Sequence, residues 1–524
     1  MAKIDKILIS GFKKFEKLEV KFNKGLSVFI GENESGKSTI FQAINIVINQ
    51  ADFGYDIPTV EKYFNSSNKQ KFLDEPKIEN LPAINIELYF DLSNENKNAN
   101  FYGLHYSSSL SKNKEQKFGI VFKFEFDKEY ANLVNLNEFA KSAVIPIEYY
   151  SASWNTFQGK TYKRAMSPLK LLYLDNSNVK NDLFGGYARQ IYKAKISEEN
   201  QRLLSANLNQ NFGDFQTRNK NLLTIKDNQR IGFDASKSAL VKLLDIYESD
   251  ISIQDMGRGR ENFIKTEMAL HEKTFDVILV DEPEIHLSHG NTRKLIDIIS
   301  SVSETQITVA SHHSLVVSRL NLKNAIWFGK HQPCSLKELD KKTALYFEKL
   351  DNLDILRFII SEKIILVEGH AEYIAVPAMF KKEIGESLDK FKIDIISMGS
   401  ISYRRYKEIS EIIGNKVLVL TDNDEKTDVS VAEERFSVWA DKDVKNWTFE
   451  VAIYNCNADF FDKEYANRKT EAQYKKSKTE IIDVPKALAH MLKYKTSNAI
   501  VVEESISKIE IPNYLKEAFK WISE

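Results

Sequence analysis

The sequence lacks several features that would place the protein in a specialised class. It has only two cysteines, Cys334 and Cys456, which excludes a disulfide framework and a paired-cysteine zinc site. No apolar run approaches the roughly 18 residues that a membrane helix needs, and the opening MAKIDKILIS lacks the apolar core of a signal peptide. We therefore expect a cytoplasmic protein without a membrane partner.

The chain also has no excess of charge of one sign, because its 73 basic and 74 acidic residues give a formal net charge of −1. Any surface for nucleic acid must therefore be local. Hydrophobic residues make up 43% of the chain, which excludes a largely disordered protein. A length of 524 residues exceeds what one hydrophobic core supports, so we expect about two or three domains.

The stretch GENESGKST, residues 31–39, follows the apolar run LSVFI and precedes IFQAINIVI, whose apolar spacing predicts a helix. A G-x-x-x-x-G-K-S pattern between a strand and a helix is typical of a loop whose backbone N–H groups bind phosphate. Its glycines allow close approach of the backbone, its lysine neutralises phosphate charge, and its serine holds Mg²⁺. The predicted ATP-binding residues here are Gly31, Asn33, Gly36, Lys37, Ser38 and Thr39.

The segment FDVILVDEPEIHL, residues 275–287, predicts a buried strand that ends in two acids. Asp281 would position Mg²⁺ beside the nucleotide, and Glu282 would polarise the water that attacks ATP. A third strand, QITVAS, runs into His312 and His313, where a histidine can contact the γ-phosphate. Because the carboxyl ends of parallel strands line one crevice, these residues and the loop together predict a nucleotide site.

A second set of acids follows two later strands. Glu368 ends the strand in KIILVEGHAEYIAVPAMF, and Glu372 lies four residues on, a spacing that places both carboxylates on one helix face. Asp422 and Asp424 follow the strand in KVLVLTDNDEK and point the same way if the chain there is extended. Crowded carboxylates are costly without cations, so the four acids predict a site for Mg²⁺, with Mn²⁺ as the alternative.

The motifs before residue 330 resemble those of ABC-type ATPase heads of the SMC, RecF and OLD (overcoming lysogenisation defect) families, whose first hairpin is similar to KIDKILISGFKKFEKLEVKF. The resemblance implies that His313 is the switch histidine and that two heads dimerise, each capping the nucleotide of the other. The capping loop would be DMGRGRENFIKTEMAL, residues 255–270, through Gly257 and Gly259. Met256 stands where these families usually place a serine, which predicts slow hydrolysis.

The later acids resemble those of a Toprim domain, in which a glutamate of an E-G pair precedes a D-x-D motif. Here the pair is Glu368-Gly369, the motif is residues 422–424, and Gly399 is similar to the intermediate glycine of that fold. The fold itself serves topoisomerases, primases and nucleases. The order of an ABC-type head followed by Toprim is that of OLD-family nucleases, including the nuclease subunit of Gabija anti-phage systems.

This resemblance adds two further site residues. Glu450 in NWTFEVAIY would be another metal ligand, and Lys486 in DVPKALAHML would stabilise the phosphate in the transition state. With the residues above, the implied metal ligands are Ser38, Asp281, Glu368, Glu372, Asp422, Asp424 and Glu450, and the implied catalytic residues are Glu282, His313, Glu368, Asp422, Asp424 and Lys486.

The predicted fold class is α/β, with an ABC-type ATPase head at 1–345 and a Toprim domain at 355–524. The head contains a helical dimerisation insert at about 160–245, and a polar connector near 330–355 leads to the Toprim domain. That domain has a Rossmann-like parallel sheet and a C-terminal helical part.

The expected function is that of an ATP-binding, divalent-metal-dependent DNA endonuclease in anti-phage defence. It would form a homodimer or a higher homo-oligomer through its heads, and in defence it would work either alone, with a helicase, or beside a reverse transcriptase and its DNA product. Arg404, Arg405 and the run at 467–478 are the basic clusters for DNA phosphates. The alternative is a RecF/SMC-like DNA-binding scaffold without cleavage. A topoisomerase needs a nucleophilic tyrosine, which the 22 tyrosines leave open, and a primase needs a template-binding module, which the sequence does not display.

Overall fold

A computed structural model gives the structure of the chain. It describes residues 2–53, 57–93, 95–104, 116–176, 186–226, 229–230, 240, 243–270, 275–329, 332–349, 354–399, 402–427, 429–431, 433–475 and 480–524. Parts of the predicted insert at 160–245 and of the basic run at 467–478 lie outside these residues. The chain forms two compact units: unit 1 is Met1–Val316 with Asn324–Pro333, and unit 2 is Val317–Lys323 with Cys334–Glu524.

The strands are numbered in chain order. Those of unit 1 are β1 Lys3–Phe12, β2 Phe15–Lys21, β3 Leu26–Ile30, β4 Ile84–Asp91, β5 Tyr102–Leu104, β6 Gln116–Phe126, β7 Tyr150–Thr156, β8 Leu171–Asp175, β9 Thr224–Lys226, β10 Gln229–Arg230, β11 Tyr247–Glu248, β12 Ile251–Ser252, β13 Val277–Asp281, β14 Gln306–Ala310 and β15 Ala325–Trp327. Those of unit 2 are β16 Cys334–Ser335, β17 Lys363–Val367, β18 Ile393–Ser397, β19 Lys416–Leu420, β20 Phe436–Trp439, β21 Gln473–Lys475 and β22 Ile481–Asp483.

The helices are numbered in the same way. They are α1 Lys37–Asn49, α2 Ser66–Asp74, α3 Leu136–Lys141, α4 Gly186–Lys195, α5 Glu198–Arg218, α6 Arg258–Leu270, α7 His289–Ser301, α8 Ser314–Arg319, α9 Lys341–Lys349, α10 Asp354–Ile360, α11 His370–Ile384, α12 Tyr403–Ile413, α13 Phe449–Cys456, α14 Ala458–Glu464, α15 Lys486–Lys493, α16 Lys495–Glu504 and α17 Asn513–Ser523. Within the described ranges, no helix combines the length and apolarity that crossing a bilayer requires.

Unit 1 contains an antiparallel sheet and a parallel sheet. The antiparallel sheet has the order β2-β1-β4-β6-β5, with β7 also pairing with β6, and the predicted first hairpin is its β1–β2 pair. The parallel sheet includes β15-β3-β14-β13-β8. Strands β13 and β14 are buried along their whole length, which explains the apolar run VILV of β13. Strand β14 lies between β3 and β13, so the three junctions of the predicted nucleotide site meet at one edge.

Unit 2 is built on a parallel sheet with the order β18-β17-β19-β20. Val367 at the end of β17 pairs in register with Leu420 at the end of β19, which brings the two acidic loops side by side. Helices α11 and α17 pack in the core of this unit, where the rings of Phe380 and Phe519 lie 5.5 Å apart between centroids. Both acidic loops therefore lie at one edge of the sheet, above a packed hydrophobic core.

The range 330–355 is not simply a polar connector. It contains α9, whose Phe347 is fully buried and makes an edge contact with Tyr406 of α12, with 5.3 Å between ring centroids. The apolar residues of KKTALYFEK recur at helical spacing, and that pattern outweighs the many lysines around them. The predicted insert does contain helices, namely α4 and the 21-residue α5.

One side chain ties the two sheets of unit 1 together. The pairing of β1 with β4 shifts its register between Ile4 and Lys6, an irregularity that leaves backbone groups without ladder partners. Gln306, at the start of β14 and fully buried, accepts a bond from the Ile4 N–H and donates to the Ile4 carbonyl, both at 2.8 Å. The same amide donates to the Asn23 carbonyl at 2.9 Å.

We predict that Gln306→Leu lowers the free energy of unfolding by about 2–5 kcal/mol, because several buried backbone groups lose their only side-chain partner. Gln332→Leu is the matched control, since Gln332 is exposed and accepts only one long bond of 3.5 Å from the Glu19 N–H. Denaturant unfolding of both variants measures the difference. Equal stability of the two would show that Gln306 does not hold the sheets together.

Candidate functional site

The loop after β3 has the geometry of a phosphate site. Gly36 precedes α1 with a φ of 98°, and a Cβ there would lie 2.3 Å from the ring of Phe15, so only glycine fits. The buried Lys37 ammonium donates to the carbonyls of Gly31 and Glu32 at 3.0 Å each. Asn33 is exposed in this loop. The lysine is thus held over the loop whose N–H groups would receive phosphate.

Asp281 and Ser38 provide the oxygens that Mg²⁺ requires. Asp281 ends β13 and is fully buried, and its carboxylate accepts hydrogen bonds from Ser38 and, at 3.4 Å, from Tyr173. Its Oδ1 atom has no hydrogen-bond partner. Burial raises the pKa of Asp281 to about 6, although the bond from Ser38 opposes this shift. A buried carboxylate with a free oxygen beside a hydroxyl fits a magnesium ion.

Glu282 follows Asp281 in the left-handed backbone region, with a φ of 48°. Burial, and then the neighbouring charge of Glu284, raise the pKa of Glu282 to about 8. His312 Nδ1 lies 2.6 Å from Glu282 Oε2, although that oxygen has no aligned hydrogen-bond donor. The histidine nearest this acid is therefore His312. The predicted switch residue His313 instead accepts a bond from the Leu315 N–H at 3.2 Å at the start of α8.

The predicted capping loop closely approaches the backbone of the turn between β13 and α7. A Cβ on Gly259 would lie 2.2 Å from the His286 carbonyl oxygen, so this contact within unit 1 requires glycine. Gly257 is different, because a Cβ there would meet nothing within 4 Å. Of the two glycines, Gly257 is the one with open space for a ligand. Thr39 lies half-buried in the first turn of α1.

The acids of unit 2 converge at the ends of β17 and β19. Glu368 Oε1 accepts a bond from the Asp422 N–H at 3.1 Å and another from the Thr421 hydroxyl. Asp422 Oδ1 accepts from the Phe449 N–H at 2.8 Å, which brings the start of α13, and so Glu450, to the same place. Burial, and then the neighbouring carboxylates of the cluster, raise the pKa of Asp422 to about 8.

Glu450 and Glu372 complete this cluster. Glu450 is 3% exposed, and its Oε1 atom has no hydrogen-bond partner. Burial raises the pKa of Glu372, and the charges of Glu450 and Glu368 add to this effect. Acids that are buried together and keep a free oxygen suit a hard divalent ion. We refer to Glu368, Glu372, Asp422 and Glu450 as the acid cluster.

The structure differs from two of the predicted local geometries. Glu368 precedes α11 and is not on its face, while the Glu372 carboxylate accepts a bond from the Gly369 N–H at 3.1 Å and so caps the helix. Asp424 is exposed and has a φ of 48°, so the chain is not extended there. The cause is Asn423, whose buried amide donates to the carbonyls of residues 441, 443 and 446 and turns the loop.

A lysine that the sequence did not indicate lies at the acid cluster. Lys495, the first residue of α16, bonds to Glu450 Oε2 at 2.9 Å. Burial lowers its pKa, but the carboxylates of Glu450, Asp422 and Glu372 together outweigh burial, and the pKa of Lys495 lies above its usual value. Lys486 begins α15 and lines a surface cavity of about 880 Å³ together with Lys469 and Asp483. Among the described contacts of the acid cluster, only Lys495 supplies an ammonium.

Comparison with protein families finds one match within each unit. Residues 2–181 match the model described as AAA ATPase domain, and residues 359–424 match that described as overcoming lysogenization defect protein-like, TOPRIM domain. The chain joins an AAA ATPase domain to an OLD-like Toprim domain. This confirms the predicted α/β fold class and the predicted order of the two domains.

Individual proteins are similar to parts of the chain. The Old nuclease of Escherichia phage P2 is 26% identical over 228 residues, which are 38% of this chain and 39% of that protein. The chain thus covers about two fifths of the length of this relative. An SMC head bound to the C-winged helix domain of ScpA has 15% identity and a TM-score of 0.35 over 64% of this chain and 99% of its own. The SMC head domain from Thermotoga maritima has 15% identity and a TM-score of 0.29, covering 62% and 94%.

The two basic clusters predicted to contact DNA differ in how far their side chains are packed against the protein. In the OLD-like Toprim unit, Arg405 lies over the ring of Tyr346, 4.1 Å from its centroid, and its guanidinium contacts Thr343. Arg404 is exposed in the first turn of α12. The described part of the run at 467–478 is mostly exposed and ends in β21, which pairs with β22. Arg405 therefore has a packing role that Arg404 lacks.

We predict that Asp422→Asn stabilises the metal-free protein at alkaline pH. The Asp422 carboxyl titrates near pH 8 in the folded chain and near pH 4 when unfolded, so the folded state holds an extra proton between these values. Stability of the parent therefore falls as the pH rises from about 4 to about 8, and the neutral amide removes this loss.

Thermal melts in EDTA at pH 5 and pH 8.5 measure the effect, with the exposed Asp459→Asn as control. The parent and the control should lose more of their melting temperature over this range than Asp422→Asn. Added Mg²⁺ should recover that loss in the parent, because the ion offsets the crowded charge. Identical pH profiles for all three proteins would refute the assignment.

Proposed function

We propose that this protein is an ATP-binding DNA endonuclease that depends on Mg²⁺ or Mn²⁺. The observation that carries the proposal is the acid cluster, which gathers carboxylates from the ends of β17 and β19 and from α11 and α13 at the edge of an OLD-like Toprim sheet. The similarity to a phage nuclease supports the same reaction. The order of ATPase domain and Toprim domain supports control of that reaction by nucleotide.

The acid cluster would hold the ion through Glu368, Asp422 and Glu450, since Glu450 Oε1 is buried without a partner. Bound Mg²⁺ would supply a nucleophilic water and stabilise the leaving oxygen of a phosphodiester. The chain fixes the carboxylates with backbone bonds, so Phe449 N–H holds Asp422 before substrate arrives. Glu372 caps α11, which limits its motion and makes its role in this site one of positioning and charge.

We assign the transition-state role to Lys495 rather than to Lys486. Its ammonium remains charged beside Glu450 and can move to a phosphate oxygen when an ion takes over that carboxylate. A cation close to a phosphate lowers the energy of the extra charge that develops during hydrolysis. The exposed Arg404 is then the side chain of its basic cluster that remains available to the DNA backbone.

The ATPase unit would act as a sensor. Lys37, Ser38 and Asp281 would hold Mg-ATP, and Glu282 would polarise the attacking water. Met256 in the capping loop supports slow hydrolysis. A homodimer is part of the proposal, and α5 supports it because the helix buries none of its own residues and exposes Leu203 by 57%. The roles in anti-phage defence and the helicase or reverse transcriptase partners are proposed from family resemblance alone.

The proposed roles of Lys495 and Lys486 can be compared by substitution. Lys495→Ala should lower the rate of DNA cleavage by about 100-fold or more, because a charge at the acid cluster is lost. Lys486→Ala should cleave like the parent, because its side chain lies at a separate surface cavity of the same unit. The measurement is nicking of supercoiled plasmid with Mg²⁺, and Asp422→Ala is the inactive reference.

Three outcomes of that assay contradict the proposal in different ways. Loss of cleavage in Lys486→Ala with full activity in Lys495→Ala would restore the assignment that family resemblance implies. Cleavage by Asp422→Ala at the parental rate would remove the acid cluster from the reaction. Relaxed closed circles in place of nicks would identify a topoisomerase.

The proposed control of DNA cleavage by ATP can be tested at Lys37. Lys37→Ala should lose ATP binding and cut plasmid at one rate across an ATP titration, whereas cleavage by the parent should change with ATP. The reason is that a ligand controls a second site only through its differential affinity for two states. The exposed Lys17→Ala is the control and should respond like the parent. The same ATP response in Lys37→Ala and the parent would eliminate the sensor role.

A further inference from the structure

Unit 1 holds a group of side chains that the binding of Mg-ATP does not use. One oxygen of Glu282, one oxygen of Glu284 and one ring nitrogen of His312 all lie within 4.8 Å of one another. Within the ranges that the structure describes, no other set of three or more histidine, cysteine or acidic residues is this close. The acid cluster of unit 2 is thus spaced more widely than this group.

Glu284 is the residue that points to a ligand. It is 8% exposed, and the Ser311 hydroxyl donates to its Oε1 at 2.5 Å, which fixes the orientation of the carboxylate. Its Oε2 has no hydrogen-bond partner, although a buried carboxylate oxygen without one is costly. His312 Nδ1 lies 2.6 Å from Glu282 Oε2, but the two atoms are not aligned as in a hydrogen bond. The three side chains therefore crowd one another, while Glu282 Oε2 and Glu284 Oε2 each lack an aligned hydrogen-bond donor.

We infer that Glu282, Glu284 and His312 form a second cation site, distinct from that of Mg-ATP, which binds a divalent transition metal such as Zn²⁺. The donor set decides the class of ion, because imidazole nitrogen with carboxylate oxygen suits zinc, whereas magnesium prefers oxygen alone. Ser38 and Asp281 offer only oxygen. Three protein ligands also leave a fourth position of a tetrahedral ion open to water.

The geometry needs little change to bind the ion. Ligands at about 2.0–2.1 Å from a tetrahedral zinc ion are separated by roughly 3.3–3.5 Å. The ligand atoms lie within 4.8 Å of one another, and the 2.6 Å between His312 Nδ1 and Glu282 Oε2 must widen, so side-chain rotations that bring the distant atoms closer and separate this pair complete the site. His312 is half exposed and can rotate, while the bond from Ser311 keeps Glu284 in place. The strands β13 and β14 that carry these residues pair in register and need not move.

Occupation of this site would oppose hydrolysis of ATP. Zinc on Glu282 would engage the carboxylate that polarises the attacking water, a consequence that rests on the function proposed above. Binding of zinc itself does not rest on it. The site is therefore tested by stoichiometry, and the consequence by a separate assay.

The test is a titration of the full chain with Zn²⁺ in excess Mg²⁺, read by calorimetry and by metal content after dialysis. His312→Ala and Glu284→Gln should each bind one zinc ion fewer than the parent, or bind it about 100-fold more weakly, because second-sphere changes alone cost 10–100-fold. His289→Ala is the matched control, since His289 is exposed on α7 in the same unit. It should bind zinc like the parent.

Equal zinc binding by the parent and by both site variants would overturn the inference. His312→Ala keeps the test valid if Glu284→Gln fails to fold, because His312 is half exposed and its removal leaves the core intact. In parallel, Zn²⁺ should slow ATP hydrolysis by the parent and by His289→Ala but not by His312→Ala. Zinc that binds at this site and leaves ATP hydrolysis of the parent unchanged would overturn the inhibitory consequence alone.

Discussion

The burial of carboxylates at the carboxyl ends of parallel strands is the constraint on which both units depend. Asp281 ends the buried strand β13 and Asp422 lies two residues after β19, and burial raises the pKa of each, to about 6 and about 8. Such placement is unfavourable for an isolated protein, because crowded anions in a weakly polar environment repel and lose hydration. It becomes favourable once cations arrive. At the edges of the sheets, the repulsion between carboxylates would therefore be relieved when a cation binds.

The chain orients these acids with hydrogen bonds from backbone N–H groups and from one side-chain hydroxyl. The Phe449 N–H holds Asp422, the Gly369 N–H holds Glu372, and the Ser311 hydroxyl holds Glu284. In several of these carboxylates one oxygen is held while another lacks a partner, as in Glu284 and Glu450. This division is what a metal site requires, since one bond fixes the direction in which the other oxygen presents its lone pairs.

Sequence predicts the parts of the sites that follow directly from strands. The predicted strands that lead to the loop at 31–39 and to Asp281, Glu368 and Asp422 are present as β3, β13, β17 and β19, because apolar runs mark buried parallel strands, while the roles of these residues stay predictions. Lys495 was not predicted, since its approach to Glu450 joins residues 45 positions apart and depends on how α16 packs. Asp424 was misplaced for a local reason: the side chain of Asn423 bonds to three carbonyls and bends the loop. Side-chain bonds between distant loops have no periodic signal in sequence.

The hydrogen bonds of Lys37 indicate which contacts would change first when a nucleotide binds. Its ammonium is bonded to carbonyls of its own loop, and burial lowers its pKa despite the nearby acids. Phosphate must displace those bonds, so ATP changes the partners of Lys37 and the charge that faces Asp281 and Glu282 across the sheet edge. These acids lie on β13 next to β14, whose end carries His312. Nucleotide and transition metal would therefore act on one shared carboxylate, Glu282, and each would be sensitive to the presence of the other.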